Sequence, residues 1–417
     1  MHMQFWKACS DGKVEEVQKL LQNSQININW QNQKDYLRTS FFIACRNGHI
    51  EIVKLLLNDK RVDVNKANEY GHTPFDVACL NGYTEIVKLL LNDERVDINK
   101  GNKNNATPFY VACREGHINI VKLLLNDNRI DINKARNDGW TSFCIACANG
   151  HTEIVKLLLN DERIEINKAM KAGETPFYIA CANGHIEIVK LLLNDNKLDI
   201  KKANKKGFSP FFIACQNGHI EIVKLLLNDK RIDIKKANNN GVAPFYIACA
   251  NGHIEIVKLL LNDEKIDINY GRNDGTKPFY IACQKGHIEI VKLLLNDERI
   301  EINKARNDGW TPFLIACGFG HIEVVKLLLA SEREINLNQK WKNNKTALDL
   351  LKERSTSTEK YNWETEEEFQ HAKKNCPLIV ELMESFQKNP NELQSQLRKE
   401  VKYCIFLFFF VFLFFFS

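Results

Sequence analysis

From Cys45 to Cys317 an Ala-Cys dipeptide returns every 34 residues, at Cys45, Cys79, Cys113, Cys147, Cys181, Cys215, Cys249, Cys283 and Cys317; a tenth copy, Cys9, stands 36 residues before the first of these. A fixed period of this size means that each unit is one small helical element that buries its apolar side only against its neighbours. That reading overrides the two or three globular domains that 417 residues would otherwise suggest. One cysteine per unit at one register is a small buried side chain rather than a disulfide framework. A reducing compartment follows, with the cytoplasm as the expected address and the nucleus as the alternative. Met1 to Val17 lack a basic segment followed by an apolar run, so no signal peptide is expected.

The units share an internal plan, clear in Gly173 to Leu193. Thr175-Pro176 reads as a helix start, since the hydroxyl accepts from orphan backbone N–H groups and proline suits the first helical position. Asn183-Gly184 stops that helix, because glycine tolerates the left-handed conformation beyond a helix end. His185 opens a second helix whose Ile186, Val189, Leu192 and Leu193 follow helical spacing. Asn194-Asp195 closes it, with asparagine expected in the left-handed cap, and a polar stretch returns the chain through Lys206-Gly207.

The run Thr-Pro-Phe-x-x-Ala-Cys followed by Gly-His-x-x-(Ile/Val)-Val-x-x-Leu-Leu resembles the ankyrin repeat, over about Met3 to Lys388. The resemblance implies an all-α repeat solenoid of stacked helix-turn-helix units with β-hairpin fingers, and a partner protein held on the hairpin tips and concave face. Ten clear units and the start of an eleventh are expected over 1–352. A charged insertion over 353–377, a C-terminal capping helix region over 378–400 and a hydrophobic tail over 401–417 complete the division. The family's usual histidine after Thr-Pro-Leu is missing; Phe42, Asp76, Tyr110, Cys144, Tyr178, Phe212, Tyr246, Tyr280 and Leu314 stand there. The cap threonine is lost at Ala243 and Lys277. The resemblance also suggests Asn65, in Asp63-Val64-Asn65, as an asparagine hydroxylation site. Ala135 to Thr141 recur identically at Ala305 to Thr311, which suggests duplication of a five-unit block.

Partner specificity is expected where the scaffold varies. Trp140, Phe208 and Trp310 follow the hairpin glycine, and Tyr36 and Tyr70 lie close by; exposed aromatics of this kind anchor interfaces, although packing on a neighbouring finger would explain them equally. The ladder Asn47, Asn81, Asn149, Asn183, Asn217 and Asn251 is read as helix capping. Units that abandon it, with Arg114-Glu115, Gln284-Lys285 and Phe319, are candidate contact positions. Lys201, Lys202, Lys205, Lys206, Lys235 and Lys236 form a basic patch within a stretch of net charge +6 (ten Lys and Arg against four Asp and Glu from Asn196 to Gly241). It would suit an acidic partner, anionic lipid or nucleic acid, or be a solvated face.

No catalytic, metal or cofactor constellation emerges. The histidines that follow glycine, such as His151 and His185, recur once per unit, and stacked helices lie roughly 8–10 Å apart, too far to share one ion. Cys144 and Cys147 form a lone Cys-x-x-Cys, and there is no phosphate loop or nucleophile elbow. The net charge of +5 does not demand a polyanion. Cys404 to Phe416 are thirteen apolar residues, eight of them Phe. As a helix this run spans roughly 20 Å, against a hydrocarbon core of about 30 Å. A tail anchor, a buried segment and translated non-coding sequence all stay open. The expected function is a non-enzymatic, monomeric interaction scaffold or adaptor; a membrane-recruited adaptor held by the tail is the alternative.

Overall fold

The computed structural model describes residues 1–341, 345–361 and 364–400; the aromatic tail, with Cys404, lies outside the described residues. Helices α1 (His2–Ser10) to α20 (Ile322–Ala330) form ten successive pairs, each a short first helix and a short second helix. Two compact units divide the chain, Met1–Lys205 with α1–α12 and Lys206–Ser417 with α13–α22. Within each unit first helices pack on first helices and second helices on second helices, which makes two layers.

Local chemistry sets the helix ends. The hydroxyls of Thr39, Thr73, Thr107, Thr141, Thr175, Ser209 and Thr311 each accept from the backbone N–H three residues on, while Ala243 and Lys277 make no such bond. Gly116 ends α7 (Pro108–Glu115) at φ 80°. A Cβ there would also lie 2.7 Å from the His151 ring, so glycine is required by both conformation and space. The asparagine at the end of each second helix is not left-handed as expected; Asn58 has φ −71° and Asn194 φ −79°. The aspartate after it turns the chain instead, as where Asp59 Oδ1 accepts from the Arg61 N–H at 2.9 Å. The first of the second helices, Val14–Leu21, buries only Val17, but from the next repeat on each buries three or more side chains, such as Ile188, Val189 and Leu192. Each is worth roughly 1.5–3 kcal/mol against exposure.

The β-hairpin fingers are not formed. Among the described residues there is no strand, only isolated bridges Asn32–Arg38 and Trp341–Lys345. Tight turns replace them, each closed by one backbone bond, such as Asn102 N–H to the Ala106 carbonyl at 3.0 Å. A turn then rests on the next through a single bond, such as Lys103 N–H to the Tyr70 carbonyl at 3.1 Å. With so few residues per turn, one bond per neighbour satisfies the backbone and no ladder is needed.

Three side-chain ladders tie the repeats together. The glycine-histidine imidazole bonds the first-helix carbonyl of the preceding repeat, as His185 Nε2 to Ala148 at 2.8 Å, and Asn183 Nδ2 donates to the same oxygen at 2.8 Å. Asn183 and its equivalents therefore tie repeats together as well, while Asn81, Asn149 and Asn251 also stand at the C-caps of their first helices, as the sequence suggests. Arg95 pairs with Asp93 at 2.6 Å and donates to the Leu57 carbonyl at 2.8 Å, and Arg129 and Arg163 repeat the arrangement. Asn65 donates to the Arg95 carbonyl at 2.6 Å and accepts from Asp97 N–H at 2.8 Å. Asn99, Asn133 and Asn269 repeat this clamp.

The eleventh unit differs from its sequence outline. Its first helix is α21 (Ala347–Thr356), and its second, α22 (Glu366–Lys388), begins well before Leu378, inside the stretch read as a charged insertion. A capping box of Thr365 and Glu368 nucleates α22, and Pro377 lies within the helix rather than opening it. A further helical stretch covers residues 390–400.

Candidate interaction surface

In the first unit the turn before α3 (Ser40–Asn47) places Tyr36 and Leu37 in the left-handed region, at φ 51° and 58°. Such conformations are costly for side chains with a Cβ. They present the Tyr36 ring beside Tyr70 of the next finger, at 5.6 Å between centroids. Both rings are about half exposed, 47% and 49%. The Arg38 guanidinium lies 5.0 Å from the Tyr36 centroid and is paired with Asp35 at 2.8 Å. An aromatic pair is thus open to solvent on neighbouring fingers, with the largely buried Arg38 packed against it.

The other aromatic candidates are packed. Trp140 is half-buried against Ala106, Tyr110 and Val111 of the preceding repeat. Phe208 stacks on Phe212 at 4.9 Å. Trp310, expected on the surface, is only 2% exposed: it sits 4.6 Å from Trp341 and 6.4 Å from Tyr361, with Gly318 leaving room beneath its ring. Phe319 is 4% exposed for the same reason, because the eleventh unit covers it. Neither residue is a free contact position.

Arg114 and Glu115 pair with each other at 2.5 Å. Gln284 and Lys285 instead join Phe319 around a cleft of about 390 Å³, closed by His321, Glu367, Glu368 and His371. Lys285 reaches Glu368 of α22 at 3.3 Å. Residues that break the repeat here serve the chain's own C-terminal helix. The readable signal was the acid-rich start Thr365-Glu366-Glu367-Glu368, which forms the capping box.

Sequence reasoning also missed a buried dyad. Asp76 is fully buried in α5 (Pro74–Leu80), and its carboxylate bonds His72 Nδ1 while its other oxygen has no partner. Burial pushes this carboxyl above the usual range, partly offset by His72. Asn65 is half-buried with both ends of its amide engaged. The basic-patch lysines are all exposed; Lys201, Lys202 and Lys205 belong to the first unit, and Lys206, Lys235 and Lys236 to the second.

The twelve described cysteines are unpaired and buried, Cys376 included. Because α22 starts early, Cys376 falls on its inward side, and burial pushes its thiol up to about 11. Among the described residues no group of three or more His, Cys, Asp or Glu could hold a metal ion. No described helix is long and apolar enough to cross a membrane.

A profile described as ankyrin repeats (3 copies) matches residues 5–102, 78–170, 162–238, 230–305 and 280–351. No curated protein matches the chain.

Proposed function

Because the chain belongs to the ankyrin-repeat family, we propose that it binds a partner protein through the fingers and first helices of its first unit, with Tyr36 and Tyr70 as the anchor. Proteins of this family are generally protein–protein interaction modules and typically non-enzymatic scaffolds. The observation that carries the assignment is the exposed Tyr36–Tyr70 pair, since almost every other large aromatic among the described residues is packed. Tyrosine supplies a large apolar area with a polar tip at little entropic cost, which suits a contact centre. The neighbouring Arg38, held by Asp35, supports the Tyr36 ring from beneath. Asparagine and arginine ties hold the fingers rigidly, so little ordering is lost on binding. Unpaired, buried cysteines support a reducing compartment such as the cytoplasm.

The test is crosslinking capture with tagged full-length protein, comparing the native chain with the Tyr36→Ser/Tyr70→Ser double variant. Loss of at least tenfold in recovery of a discrete partner, with the melting temperature unchanged, is the expected result. Undiminished capture by the double variant overturns the assignment.

A further inference from the structure

We propose that α22 is a strap that acid releases: proton uptake at His321, beside which α22 packs, detaches its first turns from the tenth repeat. His321 opens α20, and its Nε2 donates to the Gln284 carbonyl at 2.8 Å. A carbonyl only accepts, so neutral His321 carries its proton on Nε2 and a second would go to Nδ1. The same bond recurs in other repeats, as at His151 and His185. In the tenth repeat residues of α22 pack beside the ring. Phe319 stacks beside it at 6.1 Å, and His371 of α22 stands 5.6 Å away.

The charged neighbours are mixed. Lys285 from the end of α17 (Pro278–Lys285) lines the cleft, and His287 acts on His321 from the head of α18 (Ile288–Leu295); both oppose a further positive charge. Glu367 and Glu368 of α22 would favour it, but Glu368 is already engaged by Lys285 and by the Thr365 N–H at 3.0 Å. Burial comes first among the influences on His321 and holds its pKa below the ordinary value. His371 adds an independent constraint. Asn375 Nδ2 donates to its Nε2 at 3.1 Å and to the Gly320 carbonyl at 3.0 Å. These bonds hold His371 beside His321 and tie the strap to the tenth repeat.

The sign follows from linkage. A histidine whose pKa is depressed by docking favours the docked state above its free pKa of about 6.5 and disfavours it as pH falls through that value. Glu368 is held below its ordinary value by the Thr365 backbone and by Lys285, so its contribution is lost only in more acid solution. Between pH 7.5 and 5.5 the change is carried by His321.

Hydrogen exchange by mass spectrometry, corrected for the intrinsic pH dependence of exchange, tests this on the full-length chain. Protection of 366–388 should fall at least fivefold from pH 7.5 to 5.5 relative to peptides of α3–α10, and Cys376 should become reactive to a disulfide reagent active in acid. His321→Gln, which keeps an N–H donor for the Gln284 carbonyl, should abolish the fall while keeping protection at pH 7.5. A strap whose protection parallels the reference peptides overturns the proposal. So does an undiminished fall in His321→Gln.

Discussion

His72 Nδ1 is bonded to the fully buried carboxylate of Asp76, in the helix position where the flanking repeats carry Phe42 and Tyr110. One carboxylate oxygen is left without a partner. Replacing a buried ion pair with well-packed side chains is often neutral or stabilising, whereas removing one partner strands the other. His72→Ala should therefore destabilise the first unit by about 1–2 kcal/mol, the lower side of the range because His72 is partly exposed. His72→Ala/Asp76→Tyr should recover that loss or exceed it. Chemical denaturation of the three proteins decides the matter, and equal losses in the single and double variants would refute the argument.

The eighth and ninth repeats should be the first to open. Ala243 and Lys277 leave α15 (Pro244–Ala250) and α17 without a side-chain cap. Lys235 replaces the clamping asparagine and, having no acceptor, cannot hold the next backbone N–H. Ala243→Thr should add about 1 kcal/mol. Hydrogen exchange in the native chain should be faster over 243–285 than over 107–159, and the substitution should slow it; uniform exchange along both stretches would rule this out.

Thiol labelling at pH 7.5 without denaturant should find none of the twelve described cysteines rapidly reactive. Burial raises the thiol of Cys9 to about 12 and that of Cys376 to about 11, and pushes those of Cys45 and Cys113 further still from thiolate. Fast modification of Cys181 or Cys215 would contradict the packing described for the first helices.

Trp310→Ala should act on stability and leave partner capture intact. Deleting a fully buried indole costs about 3–5 kcal/mol, and the loss should appear as early melting of the last two repeats. Trp140→Ala, at a half-buried ring, should cost less. If Trp310→Ala melts normally and loses the partner, Trp310 belongs to the interface after all.

The repeat, its helix pairs and most of their ends were legible in the sequence because they depend on local chemistry. Thr-Pro starts, glycine stops and apolar spacing act within a few residues, and repetition along the chain made these signals visible. The asparagine ladder was visible too, but its tie between repeats was not, because the carbonyl it bonds lies in the preceding repeat. The identical stretches Ala135 to Thr141 and Ala305 to Thr311 show where local information stops. Trp140 stays half-buried, while Trp310 is sealed by Trp341, Tyr361 and the eleventh unit. Burial depends on what the following chain lays over a side chain, so seven identical residues could not determine it. For the same reason Lys285 and Phe319 looked like partner contacts until α22 was seen to cover them, and the pairing of His321 with His371 exists only in the folded chain.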